Sequence, residues 1–166
     1  MTDSVVIERH FDAPVELIWK MWTESEHFAA WYGPLGATIP VAKMDVQVGG
    51  GRHICMAMET PNGPMQMWFV GEFVEIVANE RLVYTEAMSD EDGNVISPAQ
   101  MGMPEGHPET TQVIVELEEI DGKTKLVPKE RRGVKTMSIG YLVPDDQPVI
   151  WRGPMATQAL EQLLRQ

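Results

Sequence analysis

The amino-acid sequence predicts an α+β fold: a curved antiparallel sheet wrapped around a C-terminal helix, with two short helices after the first strand. Three observations predict it. Apolar stripes at helical spacing follow the first strand-like segment, strand-length segments joined by tight-turn residues fill the middle, and a further helical stripe closes the chain. The sheet expected from this count has about six or seven strands.

The first strand is Val5-Val6-Ile7-Glu8-Arg9-His10-Phe11, stopped by Asp12-Ala13-Pro14. Pro14 suits a first helical turn, where its missing N–H costs nothing, and the Asp12 carboxylate can accept from the free amides there. Val15, Ile18, Trp19 and Trp22 then fall at i, i+3, i+4 and i+7, one face of an amphipathic helix. Thr23 with Glu26 three residues on is a capping-box pattern. It starts a second short helix burying Phe28 and Trp31, and Gly33-Pro34-Leu35-Gly36 ends it.

From about residue 37 to 87 the period changes to that of strands. Ala37 to Asp45 contains Pro40, which lacks a ladder donor, so this strand belongs at a sheet edge or carries a bulge. Gly49-Gly50-Gly51 is a turn. Arg52 to Glu59 and Met65 to Val77 flank Thr60-Pro61-Asn62-Gly63, a tight-turn signal, and Asn79-Glu80 leads into Arg81 to Glu86. Such a meander of hairpins is antiparallel by connectivity. Residues 88–108, rich in Gly, Pro, Met and acidic side chains, read as a long loop over the mouth of a cavity or as an insertion. Thr110 to Ile120 alternates, with Thr111, Val113, Val115 and Leu117 on one side, and Asp121-Gly122 turns it into Lys123 to Val127. Residues 128–150 carry no clear period, with Val134 to Ile139 as a candidate strand. Ala156, Ala159, Leu160, Leu163 and Leu164 restore helical spacing.

A chain of 166 residues fits one domain, and it is long enough to bury about 70% of its unfolded surface without a staple. Its net charge of −12, from 13 basic and 25 acidic side chains, opposes binding to nucleic acid phosphates and to anionic membranes. Lys129-Glu130-Arg131-Arg132, the one basic run, reads as a solvated loop. Cys55 is the single cysteine, so no disulfide forms within the chain. No signal peptide and no apolar run of about 20 residues is recognisable, which makes the cytoplasm the expected location.

The order of strand, two short helices, hairpins and final helix resembles the START-like (SRPBCC) superfamily and its helix-grip fold, with residues 1–166 as a single domain. More specific words are Arg9-His10-Phe11-Asp12-Ala13-Pro14, Trp19, Trp22-Thr23, Trp31 and Gly33-Pro34. Met44-Asp45, Gly49-Gly50, Gly71, Glu75-Ile76, Glu80-Arg81-Leu82 and Thr110-Thr111-Gln112-Val113 extend them. These resemble the branch named for the activator of the heat-shock chaperone ATPase, over about residues 4–126. The pattern departs after Lys125: the family's apolar strand and Thr-His are replaced by Val127-Pro128-Lys129-Glu130-Arg131-Arg132, and Trp151 precedes Gly153 instead of following it. The resemblance implies an internal cavity and leaves its occupant open, since fold does not license function.

The residues expected to line that cavity are Trp19, Trp31, His53, Cys55, Met67, Phe69, Tyr84, Val113, Val115, Ala156 and Leu160. His53 and Cys55, two apart on a strand, share one face. The resemblance implies the inner one; the rival parity turns Ile54, Met56 and Met58 inward. A buried imidazole there can act as donor or general base and a thiol as nucleophile, against the plainer role of core packing. The many methionines suit either a loosely specific apolar pocket or a Met-rich core. Trp68 and Tyr84 are possible polar handles, since their N–H and O–H need partners when buried. Glu105, His107 and Glu109 read as a solvated acidic loop, and no metal site or cofactor motif is recognisable.

Three functions follow, in descending order. The first is binding of a hydrophobic small molecule by a carrier or sensor, with no cofactor. The second, implied by START-like relatives, is a cofactor-free cyclase or dehydratase acting on a polyketide-like substrate, with His53 as base and Tyr84 as donor. The third, implied by the branch name, is a chaperone ATPase-stimulating partner. A homodimer is compatible with all three.

Overall fold

A computed structural model describes residues 9–102 and 108–130, with side chains in the final strand described through Leu126. The order is β1 (Arg9–Phe11), α1 (Val15–Thr23), α2 (Ser25–Trp31), β2 (Thr38–Met44), β3 (Gly51–Thr60), β4 (Gly63–Val77), β5 (Arg81–Ser89), β6 (Thr110–Ile120) and β7 (Lys123–Glu130). The seven strands form one curved antiparallel sheet, a half-barrel, in the order β1-β7-β6-β5-β4-β3-β2. The expected sheet and both short helices are present. The expected C-terminal helix, with Ala156 and Leu160, and the candidate strand Val134 to Ile139 lie outside the described residues.

Turn chemistry sets the register. Thr60 and Gly63 pair across the β3–β4 hairpin, where Thr60 Oγ1 donates to the Gly63 carbonyl at 2.7 Å. Asp121 and Gly122 both have positive φ, 52° and 74°, the geometry of a tight β6–β7 hairpin. Pro40 meets both halves of its expectation: β2 is an edge strand among the described residues, and its register with β3 shifts between Thr38 and Val41. β7 runs beyond Val127 through Pro128, which faces Val115 of β6, so Lys129 and Glu130 belong to a strand and not to a loop.

The helices start differently from the capping expectations. Pro14 sits just ahead of α1, and no side chain caps that end; Asp12 instead lies 3.6 Å from Lys123 Nζ. Thr23 does not open α2. Its hydroxyl donates back to the Trp19 carbonyl at 2.9 Å, so Thr23 completes α1, and the chain breaks at the extended Glu24. A hydroxyl spent on the preceding turn cannot serve the next helix.

Both helices pack on the concave face of the sheet. Val15 and Ile18 of α1 join Phe73, Leu82, Tyr84, Val115, Leu117 and Leu126 in one buried cluster. Phe28 of α2 joins Ile54, Met56, Met67, Phe69 and Met88 in a second. Trp31 Nε1 donates to the Met21 carbonyl at 2.7 Å and ties α2 to α1, and the buried Thr124 hydroxyl donates to the Ala13 carbonyl at 2.7 Å and ties β7 to the entry of α1.

The segment after β5 is described through Gly102. Asp90 accepts from the Asp92 and Asn94 amides, and Ser97 with Gln100 caps a short 3₁₀ turn, Pro98–Met101. Met101 packs against the second cluster, so this loop lies at the methionine-rich end of the concave face.

Candidate functional site

The two apolar clusters meet at a buried charge. Arg52 is the second residue of β3, directly after Gly51, and alternates with Ile54 and Met56 on the concave face. Its residue exposure is 3%. The guanidinium carbon lies 4.0 Å from the ring centre of Tyr84, in the first cluster, and 5.6 Å from that of Phe28, in the second. Arg52 therefore spans the seam between them, held by cation–π contact on both sides.

Its partner is two strands away. Arg52 Nη1 reaches Glu86 Oε2 of β5 at 2.6 Å, and the Tyr32 hydroxyl at the end of α2 donates to the same oxygen at 3.4 Å. The strand between them carries Gly71, directly opposite Arg52 in the β3–β4 register. A Cβ added at Gly71 would lie 1.8 Å from the Thr85 carbonyl oxygen, so only glycine fits this close approach of β4 to β5. The missing side chain leaves the inner surface of β4 clear under the long arginine.

The electrostatics keep Arg52 charged. Burial opposes the charge of Arg52, but Tyr84, Glu86 and Tyr32 outweigh it, and its pKa lies above the ordinary value. Burial, followed by Glu86 and Tyr84, pushes the Tyr32 phenol well up, with Arg52 opposing, so Tyr32 is a neutral donor. Two donors are left over. Arg52 Nε and Nη2 are buried and have no hydrogen-bond partner among the described residues. Buried donors without acceptors are uncommon in folded proteins, and each calls for an explanation such as an ordered water or a ligand.

Residues 12–138 match the family described as Activator of Hsp90 ATPase homolog 1-like protein. The chain belongs to this family. Solved structures with the same fold include a protein from Nitrosomonas europaea, with a TM-score of 0.67 at 19% identity over 98% of this chain and 94% of that one. Another, from Mycobacterium smegmatis, gives 0.66 at 19% identity over 96% and 87%. At such identities the likeness is one of fold. A short stretch of 42 residues, 25% of this chain, is 55% identical to the iron-sulfur cluster transfer protein NUBPL of Dictyostelium discoideum, and it covers only 13% of that protein.

In this member of the Hsp90 ATPase activator-like family, the concave face gathers Trp31, Met67, Phe69, Tyr84, Val113 and Val115 from the residues expected there, with Trp19 half-buried beside the first cluster. His53 and Cys55 are not among them. Because Arg52, Ile54 and Met56 face inward, the residues between them leave β3 on the convex face. There the His53 ring lies 4.9 Å from that of Trp68, and Cys55 is paired with Trp68 in register. His53 and Tyr84, the pair expected for acid–base work, thus lie on opposite faces of the sheet. Sequence reasoning passed over Arg52, Glu86 and Tyr32. The available signal was parity: Leu82, Tyr84, Glu86 and Met88 share one face of β5, which puts a carboxylate in an apolar row.

Cys55 is 1% exposed, and burial raises its pKa. The thiolate is the reactive form, so a disulfide reagent should leave Cys55 untouched in the native chain and label it rapidly in urea. Fast native labelling would contradict this burial. The same shift has a stability consequence. Both the Cys55 thiol and the Tyr32 phenol hold their protons more tightly folded than unfolded. Their contribution is complete below the ordinary thiol value of 9.0 and is lost as pH rises through the raised folded values.

A hollow of about 670 Å³ opens to solvent beside the β4–β5 turn, lined by Val15, Ala78, Asn79, Glu80, Arg81, Glu116, Leu117, Glu118 and Glu119. Arg81 within it pairs with Glu75 and Glu116. Its charged walls suit a solvated rim and not an apolar guest. Among the described residues no cluster of metal-ligating side chains forms, and no helix is long and apolar enough to cross a membrane.

Proposed function

We propose that this chain binds a hydrophobic small molecule on the concave face of its sheet, at the seam between the two apolar clusters, as an intracellular carrier or sensor. The observation that carries this reading is the buried, half-satisfied Arg52 set among methionine and aromatic side chains. An apolar pocket with a few convergent polar groups is the usual form of a small-molecule site. Met58, Met65 and Met101 pack around the second cluster, and flexible thioethers adapt to guests of irregular shape.

The test is uptake of the neutral fluorophore N-phenyl-1-naphthylamine by delipidated protein. The expected result is a saturable, blue-shifted rise in emission with one site per chain, reversed by decanol. No saturable uptake, or uptake that decanol leaves unchanged, would end the reading. The iron–sulfur likeness does not extend to a cluster site of this chain's own: protein clusters are held by about four thiolates, and the 166 residues contain one cysteine. The chaperone role rests on the family's name alone, and the enzyme reading needs a base other than His53.

A further inference from the structure

We infer that the guest carries a carboxylate, seated on the Nε–Nη2 edge of Arg52. This rests on the binding reading above and names the chemical class of its ligand.

Geometry makes the argument. In a guanidinium, the Nε hydrogen and one Nη2 hydrogen point the same way, as two parallel donors along one edge. In Arg52 that edge has no acceptor among the described residues, while Nη1 on the remaining side is committed to Glu86 at 2.6 Å. Two parallel donors match a group with two coplanar acceptor oxygens, which is why arginine and carboxylates pair as forks. An alcohol offers one acceptor. A primary amide offers one acceptor and an N–H₂ that would confront the second donor. A carboxylate satisfies both.

The surroundings fit an acid with an apolar body. The Tyr84 and Phe28 rings flank the guanidinium, and Ile54, Met56 and Phe69 continue the apolar surface from the Phe28 side. Glu86 does not compete for the free edge, because Arg52 Nη1 and the Tyr32 hydroxyl already engage it. Nonspecific attraction would not mimic such selectivity, since a chain of net charge −12 repels anions in general.

The experiment is displacement of N-phenyl-1-naphthylamine from the delipidated full chain by matched pairs at neutral pH. The pairs are decanoate against decanol for an aliphatic acid, and 2-naphthoate against 2-naphthamide for an aromatic one. In at least one pair the acid should bind about tenfold more tightly than its neutral partner, the scale expected of charge-assisted hydrogen bonds. Arg52→Lys, which keeps the charge and removes the edge, should lose most of that preference. Glu86→Gln, which removes the neighbouring negative charge, should increase it. Equal potency of acid and neutral partner in both pairs on the unaltered protein would overturn the inference, with an ordered water as the occupant of the two donors. So would a preference that persists undiminished in a folded Arg52→Lys chain. If neither the fluorophore nor decanol binds, the binding reading itself has failed. If both bind and no acid is preferred, only the carboxylate is lost.

Discussion

Replacing Arg52 by Met should lower the unfolding free energy by about 3–5 kcal/mol, and adding Glu86→Leu to that variant should restore most of the loss. The Arg52 side chain is 1% exposed and that of Glu86 15%, so the pair is largely removed from water. Taking away the guanidinium leaves a largely buried carboxylate with one side-chain hydrogen bond among the described residues, from Tyr32, at 3.4 Å. That orphaned charge, more than the lost attraction, produces the large effect. Removing both charges also removes the desolvation that each imposed, and it disposes of the two unpartnered donors Nε and Nη2. The double variant then loses the Tyr32 bond, about 1 kcal/mol, and the cation–π contacts of Arg52 with Tyr84 and Phe28. Urea unfolding of the four chains of the cycle measures the coupling. Additive losses in the double variant would mean that the two side chains do not interact as described. A double variant more stable than the parent would show that the charge pair is kept at the expense of stability, the pattern expected of a binding site.

The hairpin architecture was legible because its signals are local. Thr60 to Gly63, Asn79-Glu80 and Asp121-Gly122 each specify a turn within a few residues, and the segments between them are the right length for strands. Pro40 marked an edge for the equally local reason that it has no N–H to give a neighbour. The face of β3 was not legible. Ile54, Cys55 and Met56 are 0%, 1% and 2% exposed, three consecutive buried residues, so the alternation that assigns parity is absent there. Only contact with Phe28, more than twenty positions earlier in the chain, decides which side is concave. The Arg52 site was hidden for a related reason. Its partners Tyr32, Glu86 and Tyr84 come from the residue after α2 and from β5, and nothing in the run after Gly51 announces them. Helix starts failed where two patterns competed for one residue: Thr23 fits both a capping box and a last turn, and its bond to the Trp19 carbonyl decided for the latter.

Phe28→Ala should destabilise the fold by about 3–5 kcal/mol, and Phe28→Leu by much less. Helix α2 has only seven residues, Ser25–Trp31, too few to persist by backbone hydrogen bonding alone. It holds its position through its packing, and Phe28, 1% exposed, is its one fully buried side chain. The ring stacks on Tyr32 at 4.4 Å, meets Trp31 edge-on at 5.7 Å and lies under Arg52, so truncation opens a cavity beneath a buried charge. Leucine would refill most of that volume but not the cation–π contact. In Phe28→Ala, amide exchange along α2 and in β2, the strand against which α2 packs, should approach that of an unprotected segment. Residues of β5 and β6 should keep protection equal to the reduced global stability. Loss of α2 also frees Tyr32, and with it the donor that steadies Glu86. The same substitution should therefore erase any preference of the concave face for acids over neutral guests before it erases uptake of the neutral fluorophore. If Phe28→Ala instead unfolds within about 1 kcal/mol of the parent and α2 stays protected, the ring is not what fastens that helix to the sheet, and the coupling between α2 and the Arg52 seam falls with it.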